Sequence, residues 1–323
     1  MPSPLDRRIA LAHTPTPLDP MPRLGARLGM AEGALWVKRD DATVLAGGGN
    51  KVRKLEYLCA DAIAQGCDTL VTGGGRQSNH VRMTAAAANR LGLACTIVVS
   101  SDKPSVPTGN VVLDELLGPD IVWAGRLDYY GAEAAIEETA ARLRAEGRRP
   151  YAMPVGGATG TGALGYVRAA QELQAQDPEV ELVVVADGSG GTHAGLVAGL
   201  GDHGHVLGVD VGTRPDLDEQ VPAKAAEVAK LAGLPDPVGA CAIDHDHFGA
   251  DYGAPTDECL EALRLAAECE GLILDPVYTG KAMVGLIAAV REGRVARDTR
   301  TVFLHTGGMP ALFAATYASW VVR

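Results

Sequence analysis

The sequence predicts an α/β protein whose mainly parallel sheets are covered by helices on both faces. Short apolar runs, typical of buried strands, alternate with amphipathic helix-like segments over most of the 323 residues. Glycine clusters follow several strand candidates, and such strand-to-helix turns are where parallel sheets bind ligands. The length indicates two domains, or one large α/β domain.

The elements follow from these patterns in chain order. Strands are predicted at 34–39, 68–72, 94–99, 120–123, 181–186, 205–211, 271–274 and 300–304. Helices are predicted at 51–65, 79–92, 108–117, 131–146, 161–176, 191–201, 216–233, 257–270, 280–292 and 309–319. The segment 234–256 has no clear period, and long irregular stretches in compact domains are often functional loops.

The amino-acid composition indicates which classes of binding partner to expect. The net charge of −11, without any Lys/Arg cluster, argues against nucleic acid or an anionic membrane surface but allows a small anionic ligand. Residues 1–20 contain several prolines and no long apolar run, so we expect neither a signal peptide nor a membrane span, and a cytoplasmic location. The six cysteines form no C-x-x-C pair and are interpreted as reduced core thiols.

Lys51 is the first candidate for chemistry. It follows a glycine run at 47–49 and Asn50, and a helical pattern begins there. Asn50 is predicted to cap this helix, which puts Lys51 in its first turn. Because the helix dipole is positive at that end, we expect a lowered pKa for Lys51. Such a lysine suits Schiff-base chemistry, while a solvated surface lysine is the alternative.

Two glycine-rich turns form candidate anion sites. After the strand at 68–72, glycines 73–75 lead to Ser78, Asn79 and His80 at a predicted helix N-terminus, which suits a carboxylate or a phosphate. After the strand at 181–186 comes a second glycine-rich turn, which predicts a phosphate cradle formed by Gly188, Ser189, Gly190, Gly191 and Thr192.

A dinucleotide site is the rival interpretation of the second turn. Gly188 and Gly190 begin a G-x-G fingerprint, and Asp210 lies at a suitable distance for a ribose contact. The third glycine position, however, is His193, which weakens the interpretation. Downstream, Tyr278 can act as an acid or base or stack on a ring. His245 and His247 suggest no metal, because no third ligand accompanies them.

Several motifs in their proper order resemble the D-cysteine desulfhydrase and 1-aminocyclopropane-1-carboxylate deaminase family. They are GGGNKVRKLEYL, GGRQSNHVR, GSGGTHAGL, DYGAPTDECLEAL, LDPVYTGKAM and HTGGMPALF, and they extend over residues 47–313. The resemblance implies a two-domain fold type II enzyme that binds pyridoxal 5'-phosphate, with twisted parallel sheets. A smaller α/β domain at 50–161 would lie over a larger one formed by 1–49 and 162–323. The family is commonly homodimeric, so a homodimer is expected.

The resemblance also implies residue roles. Lys51 would hold the cofactor covalently. The other cofactor contacts would be Lys54 and the loop 188–192 at the phosphate, Asn79 at the ring hydroxyl, and Thr279 and Thr306 near the ring. A small amino-acid substrate would be held at its carboxylate by Ser78 and the amides of Asn79 and His80, with Tyr252 and Tyr278 lining its pocket. Lys51, Ser78 and Tyr278 would be catalytic.

Two threonines favour the desulfhydrase branch. The deaminases of the family carry Glu at the position of Thr279 and Leu at that of Thr306. An acid near the pyridine nitrogen deepens the electron sink, whereas a neutral hydroxyl suffices when a good leaving group departs from the β carbon. Met83 replaces the glutamine usual in close relatives, and a less polar residue there is expected to change the leaving group that is accepted.

The expected function is therefore β-elimination from a small sulfur-containing amino acid, giving pyruvate, ammonia and a sulfur product. D-cysteine, β-chloro-D-alanine, L-cysteate and S-substituted cysteines are the candidate substrates, and the sequence leaves chirality and leaving group open. The alternatives are a 1-aminocyclopropane-1-carboxylate deaminase, an L-cysteate sulfo-lyase, an NAD-dependent oxidoreductase and a catalytically silent binding protein.

Overall fold

A computed structural model describes residues 3–322, which contain two sheets surrounded by helices. The strands are β1 Leu18–Pro20, β2 Leu35–Lys38, β3 Thr69–Gly74, β4 Ala94–Val99, β5 Asp120–Trp123, β6 Pro150–Ala152, β7 Leu182–Asp187, β8 Val206–Asp210, β9 Ala242–Asp244 and β10 Thr301–Leu304. The helices are α1 Pro22–Leu28, α2 Lys51–Ala64, α3 Asn79–Leu91, α4 Asn110–Leu117, α5 Tyr129–Ala145, α6 Gly160–Gln176, α7 Gly191–Leu200, α8 Leu217–Ala232, α9 Asp257–Glu270, α10 Thr279–Arg291 and α11 Ala315–Val321.

The strand order confirms the predicted α/β class. One sheet has the order β1-β2-β10-β7-β8-β9 and the other the order β5-β4-β3-β6. Every pairing is parallel except that between β1 and β2. All strands of the four-stranded sheet fall within 50–161 and all strands of the six-stranded sheet fall outside it. The division into domains at those boundaries stays a prediction.

The strand predicted at 271–274 is wrong. This segment pairs with no strand in the described chain. Leu272 and Leu274 are buried in the core beside α9 and α10, whereas Ile273 is exposed between them. The apolar run therefore packs against helices, and the Ile273 carbonyl accepts a hydrogen bond from His305 Nε2 at 3.0 Å and not from a backbone ladder.

The other differences between the predicted and the observed secondary structure concern short elements. The strands β1, β6 and β9 and the helix α1 were not predicted, since runs of three to seven residues carry little periodicity. The helix predicted at 309–319 is two pieces, a 3-10 turn at Met309–Phe313 and α11. The break falls at Ala314, whose backbone is extended (φ −71°, ψ 142°). No helix among the described residues combines the length and apolar character needed to cross a membrane.

Glycines allow three helices to pack closely next to the site. A Cβ on Gly165 of α6 would lie 2.2 Å from the carbonyl oxygen of Arg53 in α2. A Cβ on Gly195 of α7 would lie 2.4 Å from the carbonyl oxygen of Ala163 in α6. Because only glycine permits this approach, α6 brings the start of α2 and the start of α7 to one place.

Candidate active site

A cavity of about 470 Å³ lies among the loops at the carboxyl ends of β3 and β7. Nine of the predicted site residues line it: Lys51, Ser78, Asn79, His80, Gly188, Ser189, Tyr252, Tyr278 and Thr306. The predicted residues outside its wall are Lys54, Gly190, Gly191, Thr192 and Thr279. The irregular segment 234–256 supplies Tyr252, which agrees with its interpretation as a functional loop.

Lys51 begins α2 in the cavity wall. Burial of the amino group lowers its pKa to about 8, and the carboxylate of Asp187 opposes this by raising the pKa. The predicted direction agrees, but the cause that lowers the pKa is burial rather than the helix dipole. Asn50 occupies the predicted N-cap position, but the predicted capping by its side chain is wrong. Its side chain caps no helix N–H and instead donates from Nδ2 to Thr192 Oγ1 at 3.0 Å.

Lys54 lies one helical turn further along α2 and is fully buried. Its Nζ donates to the carbonyl of Gly156 at 3.1 Å and would lie 2.8 Å from a Cβ placed on Gly191. Burial, followed by repulsion from Lys51, holds the pKa of Lys54 well below its ordinary value. A bound anion beside this amino group would restore the charged form.

The glycine-rich turn after β7 presents free backbone donors. Gly190 adopts a left-handed conformation (φ 80°) at the start of α7, and no side chain caps the helix N–H groups there. The turn therefore combines an uncapped helix N-terminus with the amino group of Lys54, which is the arrangement that binds phosphate.

Ser78, Asn79 and His80 form the opposite wall at the start of α3. Ser78 caps the helix, accepting at Oγ from the Val81 amide at 3.4 Å. His80 is buried, and neither ring nitrogen has a hydrogen-bond partner within the described chain. Burial, with the charges of Lys51 and Lys54, keeps the pKa of His80 well below its ordinary value, so its ring is neutral.

A buried chain of polar side chains behind Asn79 was missed by the sequence analysis. Asn110 Nδ2 donates to Asn79 Oδ1 at 3.3 Å, and Asn110 Oδ1 accepts from Arg82 at 2.9 Å. Arg82 also donates to the carbonyl of Gly48 at 3.0 Å. These contacts connect the loop that carries Lys51 with the wall that carries Asn79. No local signal marked Asn110, which lies far along the chain from its partners.

Tyr252 and Tyr278 close another side of the cavity. Their hydroxyl groups form a short hydrogen bond, and their ring centroids are 5.9 Å apart at 60°. Burial raises the pKa of Tyr252 to about 12 and that of Tyr278 well above its ordinary value. Both phenols are therefore neutral at physiological pH, and the pair can hold a proton at the cavity surface.

The start of α5 is a second missed part of the wall. Tyr129 lines the cavity and contacts Arg214, whose guanidinium carbon lies 4.6 Å from the ring centroid and whose Nη1 donates to the hydroxyl at 3.2 Å. Asp216 fixes the same guanidinium through two hydrogen bonds of 2.6 and 2.8 Å. The scarcity of aromatic residues, 4% of the chain, was a signal that could have drawn attention to Tyr129.

The two threonines that distinguish the family branches, and Met83, differ in position. Thr306 lines the cavity, as expected. Thr279 is fully buried outside the wall, and its hydroxyl donates to Asp275 Oδ1 at 2.7 Å, so its contact with the ring stays a prediction. Met83 does not line the cavity. Its side chain is fully buried in the core beneath Gly49, 3.3 Å from where that glycine's Cβ would be, so its expected effect on the leaving group stays a prediction.

The side chains that bear on the dinucleotide and metal interpretations form contacts with other protein groups. His193 Nδ1 lies 2.7 Å from Asp187 Oδ2. Asp210 accepts from the Gly212 amide at 2.7 Å and lies 3.0 Å from His245 Nδ1. His247 likewise contacts Asp244 at 2.6 Å. In residues 3–322, no group of three His, Cys, Asp or Glu side chains is arranged to hold a metal ion.

Comparisons with known proteins agree on the family of this chain. The model of the family described as "Pyridoxal-phosphate dependent enzyme" matches residues 9–307. The chain belongs to this family. It is 44% identical over 322 residues to a D-cysteine desulfhydrase of Salmonella paratyphi B, with 95% of each chain covered. The corresponding figure for a D-cysteine desulfhydrase of Yersinia pestis is 43% over 321 residues, again with 95% of each covered.

Solved structures agree with the predicted fold type. A crystal structure of a 1-aminocyclopropane-1-carboxylate deaminase homologue has a TM-score of 0.90 at 35% identity and covers 100% of this chain and 99% of its own. Threonine deaminase isoform 2 from Solanum lycopersicum has a TM-score of 0.67 at 17% identity, covering 99% of this chain and 84% of its own, and supports the fold alone.

The cavity fits the cofactor of this pyridoxal-phosphate dependent enzyme. Lys51 offers an amino group of lowered pKa, and the turn before α7 offers a phosphate site beside Lys54. Three further wall residues, His80, Ser100 and Thr213, have buried polar atoms without a partner in the described chain. Unsatisfied buried polar groups are costly, so their concentration here indicates a polar ligand.

Replacing Gly191 with alanine should weaken cofactor binding roughly tenfold, the loss of about one charge-assisted hydrogen bond. The new Cβ would displace Lys54 Nζ, which lies 2.8 Å from its position. The dissociation constant can be measured by equilibrium dialysis of apoenzyme against pyridoxal phosphate. Gly25→Ala is the control, because its Cβ would meet only the Leu35 side chain at 3.5 Å. Equal affinities in the two variants would contradict the role of this turn.

Proposed function

We propose that the protein is a carbon–sulfur lyase that removes the β substituent of a small sulfur-containing amino acid and releases pyruvate and ammonia. The observation that carries the proposal is the full-length similarity to D-cysteine desulfhydrases. The composition of the cavity wall supports it, because an amino group, a carboxylate-binding helix start and a neutral tyrosine pair surround one space.

Pyridoxal phosphate, when bound, supplies an electron sink that stabilises negative charge at the substrate α carbon. Lys51 would hold the cofactor and, when released, accept the α proton at Nζ. Its pKa of about 8 suits this role, since a general base works best when its pKa is close to the working pH. Ser78 and the first amides of α3 would bind the substrate carboxylate, because an N-terminal helix turn stabilises an anion.

Tyr278 and Tyr252 would act on the side of the leaving group. One hydroxyl donates to the other, which leaves the second proton of the pair free for a substrate atom. Since burial raises the pKa of both phenols, this proton is retained at neutral pH. We propose that it is transferred to the sulfur atom as the bond between Cβ and sulfur breaks.

The deaminase alternative has one observation in its favour, the similarity to the deaminase homologue at TM-score 0.90. Thr306 argues against it, because it lies in the cavity wall at a position where the deaminases carry leucine. Thr279 carries less weight than the sequence indicated, because its hydroxyl is committed to Asp275.

A substrate panel tests the proposal. Purified protein with pyridoxal phosphate would be given D-cysteine, L-cysteine, L-cysteate and 1-aminocyclopropane-1-carboxylate in turn, and the oxo acid and ammonia would be measured. We expect pyruvate from at least one sulfur compound, which also fixes chirality and leaving group. Consumption of the cyclopropane alone, with 2-oxobutanoate as product, would replace the lyase with a deaminase.

We further propose a cytoplasmic homodimer whose protomers divide into domains at 1–49 with 162–323 and at 50–161. Exposed Val112 and Leu116, four residues apart on one face of α4, support self-association, since large exposed apolar residues in one stripe favour an interface. Light scattering with size-exclusion chromatography would test the dimer, and a monomer at micromolar concentration would disprove it.

A further inference from the structure

A second cavity, which we call the outer cavity, adjoins the active-site cavity. Its volume is about 710 Å³. The two share four lining residues, Gly75, Ser100, Arg126 and Tyr252, and we call this shared wall the neck. The remaining wall comes from the turns after β3 and β4 and from the start of α11. A molecule bound at Ser78 would therefore have the outer cavity as its neighbour on the side of Gly75 and Tyr252.

The neck combines a buried hydroxyl with an aromatic ring. The Ser100 hydroxyl is shielded from solvent and has no hydrogen-bond partner in the described chain. A Cβ on Gly75 would lie 3.2 Å from Tyr252 Cε1, so glycine keeps the passage open at this point. Tyr252 also carries the hydroxyl that contacts Tyr278. The neck therefore begins at the tyrosine pair that faces the departing group.

The outer cavity has a cationic wall in an acidic protein. Its lining contains three cationic side chains, those of Arg76, Lys103 and Arg126, and one carboxylate, that of Asp102. Within residues 3–322, none of these three cations forms a salt bridge or a side-chain hydrogen bond. The chain as a whole carries a net charge of −11. Unpaired cations gathered in one concave surface favour an anion.

We propose that the outer cavity is a subsite for the anionic end of the substrate's β substituent, and that Arg126 at the neck is its main specificity determinant. The preferred substrate is then a cysteine whose sulfur carries a short chain ending in a carboxylate or sulfonate. The inference rests on the proposed lyase activity and names its substrate class. Arg126 is favoured over Arg76 and Lys103 because it alone of the three lines both cavities.

The reaction balances without a further reactant. The bond between Cβ and sulfur breaks, its electron pair leaves with sulfur, and the sulfur takes up a proton to become a thiol. Water then hydrolyses the three-carbon remainder, so that one S-substituted cysteine and one water give one thiol, one pyruvate and one ammonium ion. The anionic thiol would leave through the outer cavity.

Two substrates of nearly equal shape test the subsite. S-carboxymethylcysteine carries an anion, whereas S-carbamoylmethylcysteine carries a neutral amide of the same size, and each would be used in the enantiomer that is turned over. We expect kcat/KM of the wild type to favour the anion roughly tenfold, about the value of one charge-assisted hydrogen bond. Arg126→Gln should abolish most of this preference, and Arg76→Gln should reduce it less.

Arg90→Gln is the matched control, because it removes one positive charge from an exposed position at the end of α3 and should leave the preference unchanged. A wild-type preference near one, with pyruvate still formed from cysteine, would overturn the subsite and leave the lyase proposal standing. If no amino acid is turned over, the lyase proposal fails. The same pair would then be titrated by calorimetry into the wild-type holoenzyme, where equal Kd values overturn the subsite as well.

Discussion

Replacing Lys51 with alanine should lower the rate of pyruvate release by roughly 10³-fold or more, the usual contribution of an acid–base group that is also the covalent attachment point. Lys51 contributes an amino group of pKa about 8 to the cavity wall, and the neighbouring Lys54 is hydrogen-bonded to Gly156. The neighbour therefore cannot replace Lys51 without leaving its own contact. Single-turnover assays with saturating cofactor would separate this loss from weaker cofactor binding.

Lys51→Arg separates charge from reactivity. Arginine keeps a positive charge but cannot lose a proton at working pH, so it should be as inactive as alanine. If the arginine variant retained activity, charge alone would be the contribution of Lys51. Retention of cofactor on Lys51→Ala after borohydride reduction and denaturation would show that another lysine is the attachment point.

The lowered pKa also predicts a pH dependence. Only the neutral amine is a nucleophile, and a pKa of about 8 makes the neutral fraction rise with pH and level off above that value. The rate at which apoenzyme captures pyridoxal phosphate should therefore increase up to about pH 8 and then flatten. A rate that continued to climb toward pH 10 would indicate an ordinary lysine pKa.

Removal of the Arg53 side chain should cost about 3–5 kcal/mol of unfolding free energy, the usual cost of breaking a buried ion pair. The guanidinium of Arg53 donates to Asp40 at 2.8 and 2.9 Å and to Glu172 at 2.9 and 3.0 Å. Asp40 is completely buried, so in Arg53→Leu its carboxylate would lose its charged partner out of reach of water. Denaturant unfolding of the apoprotein would measure the change.

The same cluster predicts the direction in which folding stability changes at acidic pH. Burial opposes ionisation of Glu172, but hydrogen bonds and charges from Arg53 and Lys38 outweigh it and lower the pKa to about 2. A folded pKa below the unfolded value stabilises the protein above about pH 4.3, and this contribution is lost as the pH falls toward 2. In Arg53→Leu that part of the acid sensitivity should shrink.

Arg142→Leu is the comparison for the stability prediction. Arg142 pairs with Glu146 at 2.8 Å, but both side chains are about half exposed, at 53% and 51%. Exposed pairs of this spacing contribute only about 0.3–0.5 kcal/mol. If both leucine variants lost the same small amount, the buried cluster around Arg53 would not contribute the stability assigned to it.

The sequence predicted the site better where its signals were local. Lys51, Ser78 and the turn at 188–192 lie at strand-to-helix junctions, so glycine patterns were enough to locate them. Asn50 illustrates the limit. Its cap was predicted from neighbouring residues, but Thr192, which is far away in the chain, takes up its side-chain amide.

Met83 and the segment 271–274 show a related limit. Helical spacing placed Met83 one turn beyond Ser78 to His80, but spacing does not reveal that Gly49 and the core lie on that side. The apolar run at 271–274 predicted a strand, yet burial against helices requires the same apolar residues as burial in a sheet. In both cases the deciding contacts come from parts of the chain distant in sequence.

The close packing of α2, α6 and α7 limits how this enzyme can diversify. Gly165 and Gly195 do not line either cavity, yet no side chain larger than hydrogen fits at them without displacing backbone. In a saturation library, substitutions at these two glycines should be tolerated as poorly as substitutions at Lys51, whereas neck positions such as Arg126 should accept many residues. New substrate preferences would therefore arise at the neck, while the helices that position the cofactor stay fixed in sequence.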